Sequence, residues 1–219
     1  MAAERTHRAG GGDAGTDKGD DAPRVFREAV AALGAALLRP EVALAPLPSP
    51  RRLAPFAHAL EATVHDGEEE LADGRFVLLH DPQGQEPWQS TFRVVTLGRT
   101  TLEPELANDP LLPEVTWSWL TGALEAHGVA HSRPSGTVTR SGSHYFGGLA
   151  ERQPESELEI RASWTPFAAE RADEEAPDSA GHLAAWCDLL CQCAGLPPEQ
   201  QSGGGAVVPL PQRRGPQPR

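Results

Sequence analysis

Apolar and polar residues alternate most cleanly from Glu157 to Trp164, where Leu158, Ile160, Ala162 and Trp164 interleave with Glu157, Glu159, Arg161 and Ser163. A two-residue period belongs to a strand buried on one face and solvated on the other. Further on, Leu183, Trp186, Cys187, Leu190, Cys191 and Ala194 recur at helical spacing, and Gly195 then Pro197 stop that helix. Thr137 to Phe146 reads as a second strand, rich in glycine at its far end. Leu112 to His127 reads as a helix, opened by Asp109-Pro110 and closed by Gly128. Three earlier strands, Ala59 to His65, Arg75 to His80 and Ser90 to Leu97, are separated by an acidic turn at Glu68 to Glu70 and a break at Asp81-Pro82. Pro46, Pro48, Pro50 and Pro55 make Val42 to Pro55 an extended connector. Phe26, Ala29, Val30, Leu33 and Leu37 predict a first amphipathic helix, with Asp20 or Asp21 as cap and Pro23 in its first turn.

The order α-βββ-α-ββ-α predicts an α+β fold, an antiparallel sheet of about five strands with helices packed on it. The expected core brings together Phe92, Val94, Leu120, Leu158, Ile160, Trp164, Leu183, Trp186 and Leu190. Residues 1–21 and 199–219 are rich in Gly, Pro and mixed charge and carry almost no bulky apolar side chain. Such segments bury too little surface to offset the entropy of ordering, so disordered tails are expected around one domain spanning 22–198.

Charge narrows the partners. The net charge is −12, and it resides in the domain: Ala22 to Pro198 holds 13 Arg against 25 Asp and Glu. An acidic body repels a phosphate backbone, which makes nucleic acid a poor direct partner. The apolar run Ala29 to Leu38 follows a long, acid-containing segment and so does not read as an export signal. No stretch is long enough to span a bilayer, so no membrane association is expected. Three cysteines, an odd number crowded on one helix, fit a reducing compartment, and the expected location is cytoplasmic. A single lysine beside 18 arginines points to a GC-rich bacterial origin.

The segments VFREAVAALGAALLRPEV, RLAPFAHAL, RFVLLHDPQGQEPW, LANDPLLPEVTWSWL, ELEIRASWTPF and HLAAWCDLLCQCAGLPP together resemble the actinobacterial domain-of-unknown-function family numbered 3000. The likeness runs from about Val25 to Pro198 and implies no activity, cofactor or site residue. Members of that family often lie beside a ribonuclease D-like gene, so the resemblance implies an association with RNA metabolism.

Candidate chemistry is sparse. Cys187, Cys191 and Cys193, with His182 before them, lack the Cys-x-x-Cys pair and fourth ligand of a structural zinc site, and two of them fall on the apolar stripe. They read as core, with Cys193 the most reactive thiol; neither metal nor cofactor is expected. His58, His65, His80 and Asp81 lie on or beside strand ends. Arg140-Ser-Gly-Ser-His offers Ser141, Ser143 and His144, but alternation places the serines and the histidine on opposite faces. The acidic runs Glu68 to Glu70 and Asp173 to Glu175 read as solvated loops.

The tryptophans carry more. Trp117 and Trp119 lie about 200° apart around their helix, so one buried stripe cannot take both: either the helix is buried on two sides and all the tryptophans pack internally, or one indole awaits a partner. Trp88 sits in a Gln-rich loop. Exposed aromatics mark recognition surfaces. The leading expectation is therefore a non-catalytic protein-interaction module that binds a protein partner through Trp88, Trp117 and Trp119. The alternative is an enzyme, or an accessory subunit linked to RNA metabolism, with a polar site at His80, Asp81, Ser141 and His144. An RNA contact would require Arg93, Arg140 and Arg161 to cluster on one sheet face.

Overall fold

A computed structural model describes residues 22–50, 52–167 and 175–197. The expected tails, 1–21 and 199–219, lie outside these residues, as do Asp173 and Glu174. Six strands, β1 (Val42–Leu47), β2 (Phe56–Asp66), β3 (Glu69–Gln85), β4 (Ser90–Leu102), β5 (His131–Ser143) and β6 (Glu155–Pro166), form one antiparallel sheet in the order β1-β2-β3-β4-β6-β5. Helices α1 (Arg24–Leu33), α3 (Leu112–Ala126) and α4 (Ser179–Cys193) accompany it, with a single turn, α2 (Pro104–Ala107), after β4.

The α+β class and the antiparallel sheet follow the hydrophobic pattern, but the strand count is six rather than five. The additional strand is β1, expected as a proline-rich connector. It runs beside β2 from Val42 opposite Val64 to Leu47 opposite Ala59, with Pro46 opposite Leu60. At a sheet edge the missing N–H of proline costs no ladder bond, so the prolines that argued against a strand permit an edge strand. Acidic Glu69 and Glu70 join β3, leaving a tight turn at Gly67 (φ 62°). β3 also continues past Asp81-Pro82 to Gln85, absorbing the break as a register shift after His80.

Alternation sorts the sheet into two faces. On β4 and β6, Phe92, Val94, Ile160, Ala162 and Trp164 turn towards the helices and form one cluster with Phe26, Ala29 and Leu33 of α1, Leu120 and Leu124 of α3, and Leu183, Trp186 and Leu190 of α4. The expected core residues are all buried. Leu158, however, belongs to a smaller cluster with Leu102 and Leu112. Leu37, expected on the α1 stripe, is 92% exposed because α1 ends at Leu33. The residue before α1 is Pro23, which supplies no side-chain cap; Asp20 and Asp21 lie outside the described residues.

Helix α4 is the centre of this layer. The Asp178 side chain caps it by accepting from the Gly181 N–H at 2.9 Å. The helix settles deeply because Gly74 and Gly98 face each other across β3 and β4. A Cβ at Gly98 would stand 2.7 Å from Leu190 Cδ2, and one at Gly74 would stand 2.7 Å from Trp186 Cζ2. The glycine pair is a socket for Trp186 and Leu190 of α4.

Candidate functional site

Helix α3 turns its two indoles to different sides, as their angular separation requires. Trp117 turns to the sheet and lies over Gly136 of β5, where a Cβ would meet its Cζ3 at 2.9 Å. Trp119 turns the other way, into a groove of about 510 Å³ between α3, α4 and the segment 37–39 that follows α1. Both indoles are half-buried. Trp88, also half-buried, sits in the β3–β4 turn, where its carbonyl accepts from the Thr165 hydroxyl at 2.8 Å. The three tryptophans therefore face three different surroundings and do not line one cavity.

The groove is built by helical spacing. Trp119, Gly122 and Ala126 recur at intervals of three and four along α3, so they share a face. Gly122 leaves the floor low: a Cβ there would meet nothing within 4 Å. One end is closed by His127, whose Nε2 lies 2.7 Å from Asp188 Oδ2 and so ties α3 to α4. At the other end the Arg39 guanidinium donates to both Glu41 oxygens, at 2.9 and 3.3 Å, and to the Pro197 carbonyl at 2.6 Å. Arg39 also holds the Glu41 carboxyl below its ordinary pKa, chiefly through those hydrogen bonds. Exposed Leu37 stands on the rim. Only Trp119 among these residues stood out in the sequence. Gly122 and Ala126, at helical intervals behind it, were the available signal.

Ser118, His127 and Asp188 all line this groove, but they make no hydrolytic triad. Ser118 and His127 are nine residues apart along the helix, about 13 Å of axial rise, and the Ser118 hydroxyl donates to the Val115 carbonyl at 2.7 Å.

The polar residues of the enzyme reading are not brought together. His80 lies opposite Phe92 on β3, whereas Ser141 lies opposite Glu157 on β5. Two strands separate β3 from β5, and the pairings place these residues at opposite ends of the sheet. The His80 ring is enclosed by Phe26, Phe56 and Phe92, its Nδ1–H donates to the Thr91 carbonyl at 3.1 Å, and burial lowers its pKa. Asp81 accepts from Gln83 N–H and Gln85 Nε2, the bonding of a turn residue. Ser141 and His144 are exposed. His58 is half-buried with a lowered pKa, and His65 bonds Thr63 Oγ1 at 2.9 Å.

His182 is fully buried and its Nδ1 accepts from Trp164 Nε1–H at 3.1 Å. Among the described residues no three His, Cys, Asp or Glu side chains gather as a metal ion would need. Cys187 and Cys191 are buried in the core, and burial pushes the Cys187 thiol up. Cys193 is the least enclosed, yet burial still pushes its thiol up to about 12. A thiol that weakly ionised is a poor nucleophile at neutral pH. All three should resist a thiol reagent in the folded protein and react together on denaturation; fast labelling of native Cys193 would show that this site opens.

The arginines also divide. Arg93, buried, donates to Ser135, Ser163 and Thr165 on the open sheet face. Arg161 shares that face, where it and Arg99 both bind Glu159. Arg140 turns to the helix side and donates to the Ala107 and Asp109 carbonyls. The three-arginine patch that an RNA contact would require does not form.

The chain belongs to a family described as Protein of unknown function (DUF3000), whose model matches residues 22–202. No curated protein and no solved structure matches it. No helix among the described residues is long and apolar enough to cross a membrane.

Proposed function

We propose that this domain is a non-catalytic protein-interaction module of the cytoplasm and that the Trp119 groove is its recognition site. The observation that carries the reading is the groove itself: a half-buried indole and an exposed leucine stand over a floor lowered by Gly122. An apolar side chain of a partner protein would enter beside Trp119 and Leu37. Aromatic anchors in such settings supply most of an interface's affinity. The ends of the groove, at Arg39 and His127–Asp188, are polar and would orient that partner.

Gly122→Arg tests the reading. A Cβ at position 122 meets nothing within 4 Å, so the new side chain extends from open space into the groove, and replacing a mid-helix glycine favours the helix by about 1 kcal/mol. The melting temperature should hold or rise, while a protein that co-purifies with the tagged wild-type chain from its own cells should be lost, as it should with Trp119→Ala. Equal recovery on wild type and Gly122→Arg would remove the groove as the recognition site.

A further inference from the structure

The two edges of the sheet are finished differently. β1 is six residues long and carries Pro46. β5 presents nine consecutive residues, Ser135 to Ser143, in unbroken register with β6 and with no proline, lysine or acid among them. Its one charged side chain, Arg140, is turned back onto the carbonyls of Ala107 and Asp109. Natural sheets guard exposed edges with prolines and outward charges, and an unguarded edge is a template for another strand.

The edge also reads nearly the same in both directions: Ser-Gly-Thr-Val-Thr-Arg-Ser-Gly-Ser, centred on Thr139. We propose that β5 pairs antiparallel with β5 of a second copy about a two-fold axis at Thr139, joining two sheets into one. This proposal stands independently of what the Trp119 groove binds.

A two-fold antiparallel pairing sets each residue before Thr139 against its mirror position after it. Ser135 then meets Ser143, Gly136 meets Gly142, Thr137 meets Ser141, and Thr139 meets itself. Hydroxyl residues directly opposed in this way are favourable cross-strand pairs. On the open face, β6 places Arg161 beside Thr137 and Glu157 beside Ser141. The axis therefore brings each copy's Arg161 towards the second copy's Glu157, twice over. Arg161 has charge to offer, because it and Arg99 share the single carboxylate of Glu159.

On the helix face the same axis explains a glycine. Gly136 is required within one chain, since a Cβ there would run into the Arg161 carbonyl oxygen and stand 2.9 Å from the Trp117 ring. Gly142 is not: its Cβ would meet only Ser156 Oγ, at 3.9 Å, and its φ is not positive. In the pair, the second copy's Gly142 lies beside Gly136, and the half-exposed Trp117 ring extends over both.

Light scattering and sedimentation of the full chain should give twice the 23.3 kDa chain mass. Gly142→Glu would set a carboxylate beneath the second copy's Trp117. It should weaken association by at least about tenfold while leaving the circular dichroism of the chain unchanged. Register is read by cross-linking. Thr139→Cys should link to itself, whereas Ser135→Cys should link only to Ser143→Cys in a mixture of the two, because directly opposed Cβ atoms stand about 5 Å apart. A monomer at about 100 µM, an association that Gly142→Glu leaves intact, or cross-links in another register would overturn the proposal. So would a monomer with an unrelated strand bound on β5.

Discussion

Replacing Leu190 with Ala should cost about 2–5 kcal/mol in a denaturant melt, because the side chain is fully enclosed and its surroundings cannot collapse. Its methyls press on the socket made by Gly74 and Gly98, and the facing sheet is held by ladders on both sides. The glycines give the converse experiment. Gly98→Ala should destabilise by about 1–3 kcal/mol through overpacking, since its new methyl would meet Leu190 Cδ2 at 2.7 Å and Ile160 Cγ2 at 3.3 Å. That clash is with a side chain, so Leu190→Ala should relieve most of it, and the two costs should fall well short of additive. Gly74→Ala is different. Its methyl would stand 2.6 Å from the Leu97 carbonyl oxygen, which no change at Leu190 can move. A double-mutant cycle should therefore show strong coupling for Leu190 with Gly98 and a residual penalty for Gly74. Full additivity at Gly98 would mean that α4 does not sit in this socket.

That socket marks where sequence reading stops. The stripe of α4 and the alternation of β6 are local patterns, and local patterns name which residues turn inward. They do not say that Gly74 and Gly98 end up opposite one another, since that depends on the register of two strands. The same boundary explains β1. Prolines forbid a central strand but tolerate an edge one, and whether Val42 to Leu47 lies at an edge is a property of the whole sheet. The 200° between Trp117 and Trp119 was legible as two faces of one helix. The surfaces those faces meet, Gly136 on one side and the groove on the other, required the third dimension.

The candidate polar residues show the limit most clearly. His80 and Ser141 each look chemically able, but the strand order 3-4-6-5 inserts two strands between them, and no periodicity in the chain announces that crossover. Arg140 illustrates the same effect within one strand. Alternation alone assigns it to the helix side with Val138, away from Arg161, once its pairing with Leu158 is fixed. Composition could raise the question of an arginine patch; only the register could answer it.

Acid should unfold this protein through its buried imidazoles before its carboxylates matter, and His182 should lead. The side chain is fully buried, and desolvation lowers its pKa from 6.5 to about 4. Asp178 and the Ala130 carbonyl pull it upward and His131 pushes it further down, but burial outweighs them. The neutral ring also accepts from Trp164 Nε1–H through Nδ1, and protonating that nitrogen would set two donors against each other. A lowered histidine pKa means that the unfolded chain takes the proton first. Stability is therefore full above about pH 6.5 and falls as the pH drops towards 4, by up to about 3 kcal/mol from this one group. His80 and His58, lowered by burial too, add to the loss in the same direction. Glu41 and Glu159, held low by their arginines, lose their contribution only as the pH falls from the ordinary carboxylate value of about 4.5 downward. His182→Gln keeps an acceptor for Trp164 and cannot titrate. Its stability should lie below wild type at pH 8 if the amide packs less well, yet its slope between pH 6.5 and 4 should be shallower by about one proton, near 1.4 kcal/mol per pH unit at most. A slope equal to that of the wild type would show that His182 is already protonated, or already solvated, in the native protein.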